Sequence, residues 1–279
     1  MKKILACSII FFIAILFFIS CRSAETKTKQ KAIEDLGTPL ITMKDKGITL
    51  KELYSPESFA DASLQLMKSS NLEELDNNKI HLNFDVKNYT LGEQTDRTGI
   101  ATCANSGQGQ HIHCIVDNQP YTAHYTNDFS VDTKDGQHVV LCFLSRSYHE
   151  SVKNPNAYIL TSIITGKSRY TAKYANPRLN DPHLFYSRPK GTYVGEEVND
   201  VLLDFFIVNC NLSEKGYKVK AQINDATFLI TKWVPFFIEG MKMGENTITL
   251  TLLDKDNNVV DSQFNPVTRT VTLKEKADN

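Results

Sequence analysis

Residues Gly244–Leu252 read GENTITLTL, and their pattern decides the fold class. The three threonines of this segment alternate with Ile248, Leu250 and Leu252. A period of two with β-branched side chains is typical of a strand with one buried face, whereas a helix needs apolar residues three and four positions apart. Gly136–Leu144, which reads GQHVVLCFL, aligns with this segment. The two segments therefore predict an all-β fold.

These two segments belong to an internal repeat. Leu82–Glu93 (LNFDVKNYTLGE) aligns with Leu203–Glu214 (LDFFIVNCNLSE), and His111–Tyr121 (HIHCIVDNQPY) aligns with Lys218–Phe228 (KVKAQINDATF). The pairs follow the same order in both halves, with offsets of 121, 107 and 108 residues. The simplest account is a duplicated unit of about 100 residues. Repeated short strands separated by turns predict two tandem Ig-like β-sandwich units.

Further strands are predicted from the apolar patterns outside the three aligned pairs. In Ser63–Met67 a strand is preferred over a short helix that would begin at Ser58, because the repeat favours it. The remaining predicted strands are Tyr158–Ile164, Val201–Asn209 and Arg269–Leu273.

The N-terminus carries an export signal. Two lysines precede the apolar run Ile4–Ile19, which has about the length of a signal-peptide core and is short for a membrane span of about 20 residues. The run ends in Phe18-Ile19-Ser20-Cys21, which resembles the lipobox of bacterial lipoproteins. In that family the leader is cut before the cysteine, which is then acylated. The resemblance implies a signal peptide at 1–20 and lipid attachment at Cys21. The alternative is an uncleaved membrane anchor. In both cases the body of the protein is exported and stays attached to a membrane.

The predicted order along the chain is a signal peptide, a tether and two sandwiches. Residues 21–47 are rich in Lys, Thr and Glu, so their first half is predicted to be a flexible tether. The first unit spans 48–165 and the second spans 166–279. Arg22 follows the lipobox cysteine where inner-membrane lipoproteins of enteric bacteria carry Asp. This favours the outer membrane of the cell envelope and leaves a periplasmic or a surface-facing orientation open.

Composition and motifs narrow the function. The chain has 279 residues, 41% hydrophobic and 23% charged, and a net charge of −1. It has no basic stripe with which to bind nucleic acid. It also has none of the G-x-S-x-G, H-E-x-x-H or Gly-rich phosphate-loop motifs of common enzymes. A non-enzymatic binding module for a protein or a small ligand is the first hypothesis, a periplasmic metal-binding protein the second, and an enzyme the weakest.

The body also resembles known groups of exported proteins. From the H-x-H of His111 and His113 to LFYSRPKGTY at Leu184–Tyr193, it is similar to lipoproteins of Bacteroidetes that have no assigned activity. Some of these carry a phosphopeptide-binding label, which makes that activity a further alternative. The recognition loops of forkhead-associated domains are absent here. The first unit resembles an exported domain of unknown function whose histidine pattern matches His111, His113, His138 and His149.

Histidines are the sharpest candidate site residues. His111 and His113 lie two residues apart on a predicted strand and face the same way, so they could share a metal such as Zn or Cu. The repeat, however, places Lys218 and Lys220 at their positions. This favours surface histidines over a ligand pair. The metal alternative adds a third ligand from His124, His138 or His149. Among these, His138 is predicted at a strand edge, leaning away from the pair.

Four cysteines lie in the body. Cys114 and Cys142 align with Ala221 and Leu250 on the predicted core face. They are predicted either to be buried free thiols or to form a disulfide, and both predictions are compatible with an exported protein. With Cys103 and Cys210, the four cysteines allow three pairings, and the sequence does not choose among them.

Overall fold

The structure is a computed structural model that describes residues 40–55, 59–70, 73–74, 78–97, 100, 102–166 and 177–276. The predicted signal peptide, Cys21 and most of the predicted tether lie outside these ranges. In the described ranges no helix has the length and hydropathy of a membrane span. The regular elements are a short 3-10 helix, Gly195–Val198, and the strands β1 (Thr42–Asp45), β2 (Ile48–Glu52), β3 (Ser63–Leu66), β4 (Glu73–Glu74), β5 (Lys79–Lys87), β6 (His111–Val116), β7 (Thr122–His124), β8 (Asp128–Asp132), β9 (Gly136–Ser145), β10 (Tyr158–Thr165), β11 (His183–Arg188), β12 (Gly191–Val194), β13 (Val201–Val208), β14 (Lys218–Ile223), β15 (Ala226–Ile230), β16 (Phe236–Glu239), β17 (Gly244–Leu253) and β18 (Val267–Lys274).

The strands form two sandwiches with the same topology, which confirms the all-β class and the two units. In the first, the sheet β4-β10-β9-β6-β7 packs on β3-β5-β8. In the second, β12-β18-β17-β14-β15 packs on a sheet that contains β16-β13-β11. Both five-stranded sheets end in a parallel pair, β4 with β10 and β12 with β18. The register also repeats, because Cys114 pairs with Cys142 as Ala221 pairs with Leu250.

The N-terminal boundary of the first unit is a correction to the sequence prediction. β1 and β2 form a hairpin, and β2 pairs with β16, so Thr42–Glu52 belongs to the second sandwich. The predicted tether 21–47 therefore overlaps a strand, and the predicted first unit 48–165 begins too early. The side chains of Ile48 and Leu50 are buried in the second core. Their alternation predicts a strand but cannot tell which of two sheets the strand joins.

A third apolar cluster joins the sandwiches. The face of β6 and β9 that points away from the first core packs on the outer face of β11 and β13 through Ile115, Val139, Leu141, Phe143, Phe185, Phe206 and Val208. The four sheets therefore stack as four layers with three apolar cores between them. The two inner layers are buried on both faces, which explains why the segments VVLCFL and VLLDFFIV are almost continuously apolar.

Candidate metal centre

Three histidines of the first unit meet where the two sandwiches join. His111 and His113 lie on β6, and His149 lies in the turn after β9. His111 Nε2 is 2.8 Å from His113 Nε2 and 3.1 Å from His149 Nδ1. One ring nitrogen from each of the three lies within 4.8 Å of those of the other two. The structure thus brings together three of the five histidines that the sequence singles out.

The prediction of a surface pair is wrong, although the predicted facing is right. His111 and His113 point away from the first core, opposite to Ile112 and Cys114, as the strand period requires. That face is covered by the second sandwich, so both side chains are 0% exposed. Ser187 of β11 lies over the site, with its Oγ 3.4 Å from His113 Nδ1. At the matching positions of the second unit, Lys220 is half-buried, and Lys218 is buried with its Nζ donating to the Gly216 and Lys255 carbonyls.

The hydrogen bond that His111 makes with the backbone directs its ring lone pair into the centre. The Gly109 carbonyl oxygen can only accept, so His111 donates to it from Nδ1 at 2.8 Å and keeps a lone pair on Nε2. That single lone pair faces nitrogens of both His113 and His149. It can accept one hydrogen bond, from His113, while the Tyr121 hydroxyl at 3.3 Å can donate to His149 Nδ1. A cation between them would accept a lone pair from each.

Burial keeps the three imidazoles neutral. It lowers the pKa of His111 to about 4, and the charges of Arg188 and Lys190 act in the same direction. Burial also holds the pKa of His113 well below its usual range, helped by His111 and His149. The pKa of His149 is lowered by burial and then by Arg188. Since the neutral imidazole is the form that binds metal ions, all three are ready to coordinate at neutral pH.

The turn after β9 presents the third histidine. Arg146 donates its backbone N–H to the Glu150 carbonyl, and His149 donates to the Arg146 carbonyl. His149 has φ of 71°, in the left-handed region that Asn, Asp and His enter more readily than other side chains. This backbone conformation is local to the turn, and period-two strand patterns carry no sign of it. The approach of His149 to β6 therefore cannot be predicted from the strand period.

Aromatic rings and two cations surround the centre. The ring of Tyr121 stacks on His113 with centroids 3.5 Å apart, and its hydroxyl lies 3.3 Å from His149 Nδ1. Lys190 Nζ is 3.6 Å from the centroid of the same Tyr121 ring. The guanidinium of Arg188 lies 5.5 Å from that centroid. Arg188 and Lys190 lie within LFYSRPKGTY, where two cations beside a tyrosine-rich strand are their only sequence signal.

The other two candidate histidines lie elsewhere. His124 pairs with Ile112 across β7 and β6, so it is on the opposite side of the sheet, where it stacks on Phe129. His138 lies at the start of β9, as predicted. There it donates from Nδ1 to Asp117 at 2.5 Å and from Nε2 to the Lys134 carbonyl at 2.8 Å. Of the three candidates for the third ligand, the structure therefore brings His149 to the pair and places His124 and His138 elsewhere.

The cysteines are separate from this centre. Cys114 and Cys142 face each other across β6 and β9 and point into the first core, on the far side of the sheet from His113. The structure has both as free buried thiols. Cys103 and Cys210 are also free, and burial raises the pKa of each to about 12. A thiolate ligand from these residues is therefore not part of the histidine centre.

Comparisons with known proteins return structural neighbours only. No family model matches the chain, and no curated protein matches it. Fibronectin(III)-like modules of Clostridium thermocellum CbhA are 9% identical with a TM-score of 0.27, over 77% of this chain and 98% of theirs. A Bacteroides ovatus SGBP-B from a mixed-linkage glucan utilization locus is 9% identical with a TM-score of 0.21, over 82% and 48%. The extracellular domain of a hybrid two-component system from Bacteroides thetaiotaomicron is 8% identical with a TM-score of 0.26, over 85% and 44%.

Proposed function

We propose that the protein is a non-enzymatic binding protein of the cell envelope that binds one transition-metal ion through His111, His113 and His149. The observation that carries the proposal is the convergence of three imidazole nitrogens within 4.8 Å of one another. Zinc bound to histidine has metal–nitrogen distances of about 2.0–2.1 Å, which place neighbouring ligand nitrogens about 3.4 Å apart in a tetrahedral site. The two contacts of 2.8 and 3.1 Å are close to this spacing.

The ligand set selects the class of metal. Three neutral imidazoles without a carboxylate or thiolate suit Zn²⁺, Cu²⁺ or Ni²⁺ and do not suit Mg²⁺ or Ca²⁺, which prefer oxygen. The hydrogen bond from His111 to the Gly109 carbonyl is the kind of outer contact that orients metal-binding histidines. Three protein ligands leave a fourth position for a further ligand.

Metal titration of the full chain in detergent tests the proposal. We expect one equivalent of Zn²⁺ or Co²⁺ to bind, with the visible absorption of Co²⁺ reporting tetrahedral geometry. His149→Asn should weaken binding at least about tenfold, because it removes a ligand nitrogen while Asn tolerates the positive φ. His113→Gln should act in the same direction.

Two other histidines of the first unit supply matched controls. His124→Ala and His138→Asn each remove an imidazole outside the centre, so both should bind metal like the wild type. Binding that is equally strong in His149→Asn, His113→Gln and the two controls would overturn the proposal. Circular dichroism of each variant separates loss of a ligand from loss of the fold.

The envelope location is a separate part of the proposal and rests on the leader. The apolar run that ends in Ser20-Cys21 supports export and acylation at Cys21. Several acyl chains, at about 0.8 kcal/mol for each buried CH₂, would hold the chain stably on a membrane. Cys21→Ser should move the protein from the membrane fraction to the soluble fraction. A variant that stays with the membrane would contradict lipid anchoring and leave the metal site untouched.

A further inference from the structure

Among the residues that the structure describes, Arg188 and Lys190 lie beside the three histidines and donate to neutral acceptors, the Tyr193 hydroxyl and the Tyr121 carbonyl. Arg188 is only 7% exposed, yet its Nε has no hydrogen-bond partner. Its Nη1 donates to the hydroxyl of Tyr193 at 2.9 Å. A buried guanidinium that meets only neutral acceptors has lost its hydration without a compensating charge, which is costly unless an anion joins it.

Lys190 adds a second positive charge at the same place. Its Nζ donates to the Tyr121 carbonyl at 2.7 Å and lies over the Tyr121 ring. Burial lowers the pKa of Lys190 to about 8, and the charge of Arg188 acts in the same direction. Asp204, the Cα partner of Arg188 across β13 and β11, has its carboxylate bound by Lys153 and Ser151. Both cations also act on the three histidines.

We infer that the centre binds its metal together with a small oxyanion, which occupies the fourth metal position and accepts hydrogen bonds from Arg188 and Lys190. The inference rests on the proposed function and names its second ligand. A divalent metal with three neutral ligands would bring the local charge to four positive units, so an anionic oxygen is the ligand that the surroundings favour. An arginine fork suits both carboxylate and phosphate oxygens.

The more exposed residues of the centre mark the side from which such an anion would arrive. His111, His113 and Tyr121 are buried, whereas His149, Tyr125 and Lys190 are half-buried. The neighbouring Gly191 and Thr192 are exposed. An anion entering beside Lys190 would therefore meet a positive rim first and the metal behind it.

Cobalt spectroscopy of the full chain in detergent tests the inference. Sodium phosphate or sodium acetate is added to the Co²⁺-loaded protein in a non-coordinating buffer at constant ionic strength. We expect a saturable shift of the visible cobalt bands with at least one anion. The anion that saturates at the lower concentration distinguishes phosphate from carboxylate. In Lys190→Met and Arg188→Gln the half-saturating concentration should rise about tenfold, because each variant removes a charged donor.

The outcomes separate the two proposals. If the protein takes up cobalt but neither anion shifts the visible bands, the oxyanion is ruled out and the metal site is still supported. The same conclusion follows if the half-saturating anion concentration is equal in wild type, Lys190→Met and Arg188→Gln. Absence of cobalt uptake would overturn both. Lys190 is half-buried, so Lys190→Met should fold even where Arg188→Gln does not. The anion response can then be measured with Lys190→Met alone. Lys87→Gln, which alters an exposed cation of the first unit, is the control and should leave the anion response unchanged.

Discussion

Phe143 of the first sandwich stacks on Phe206 of the second, with ring centroids 4.8 Å apart and planes 23° apart. Both side chains are fully buried in the cluster that joins the sandwiches. Removing one ring leaves a cavity between two sheets, and each of these sheets is also packed against another sheet on its other face, so the cavity cannot easily close. We therefore expect Phe143→Ala to lower the free energy of unfolding by about 3–5 kcal/mol, measured by urea denaturation.

Leu229→Ala is the control for this substitution. Leu229 is a large apolar residue of β15 that is 45% exposed, so its truncation should change the free energy of unfolding by less than about 0.5 kcal/mol. Equal effects of the two substitutions would mean that the joining cluster does not stabilise the fold.

Particular residues explain how much of this architecture the sequence predicts. The repeat and its period predict the strands and the facing of His113, and both agree with the structure. The burial of His113 also had a signal, because Val139, Leu141 and Phe143 are apolar where the second unit has threonines. That signal indicates a second buried face, but not which sheet covers it. The approach of His149 depends on one left-handed residue in a turn, and no periodicity encodes it.

The pair His138–Asp117 has a neutral counterpart in the second unit. There Asn224 donates to Asn246 at 2.8 Å, and Asn246 donates to the Lys242 carbonyl as His138 donates to that of Lys134. The double substitution Asp117→Asn with His138→Asn should therefore fold with the same backbone. It replaces a charged pair by the amide pair that the other unit already uses.

The charged pair makes stability depend on pH. The hydrogen bond with Asp117 raises the pKa of His138 above its usual value. The pair therefore contributes fully below the pKa of an unfolded histidine, about 6.5, and the contribution is lost as pH rises through the higher folded value. Between pH 6 and 9 the wild type should lose on the order of 1 kcal/mol more stability than the double variant. Parallel stability profiles for the two proteins would refute this.

Lys153 and Asp204 form an ion pair where the sandwiches meet, with Nζ 2.6 Å from Oδ1. The Asp204 side chain is 0% exposed and also accepts from Ser151. Lys153→Met would leave a buried carboxylate without its cation, so we expect a loss of about 3–5 kcal/mol in chemical denaturation at pH 8. Burial raises the pKa of Asp204, and without Lys153 it would rise further. The loss should therefore shrink as pH falls and the carboxyl group takes up a proton.

An exposed ion pair is the control for Lys153. The Lys51 and Glu239 side chains are 50% and 39% exposed and lie 2.6 Å apart, so Lys51→Met should cost no more than about 1 kcal/mol. If Lys153→Met costs no more than Lys51→Met, the buried pair does not hold the junction.

Gly109 connects the backbone of the first unit to the metal centre. Its φ is +86°, and an added Cβ would lie 2.4 Å from the Gly92 carbonyl oxygen, which is backbone and cannot turn aside. Its own carbonyl fixes the proton of His111 on Nδ1. Gly109→Ala should therefore displace this carbonyl and free His111 to change tautomer. We expect a stability loss of more than about 2 kcal/mol.

The same substitution should weaken metal binding, because an outer hydrogen bond to a metal-binding histidine typically contributes about 10–100-fold in affinity. Gly107→Ala is the matched control: Gly107 is exposed, an added Cβ there would meet nothing within 4 Å, and its φ is not positive. Zinc affinity is measured by calorimetry at a temperature where circular dichroism shows both variants folded. A folded Gly109→Ala protein that binds zinc as tightly as Gly107→Ala would show that the carbonyl does not orient His111. The orientation of His111 would then depend on the position of β6 alone.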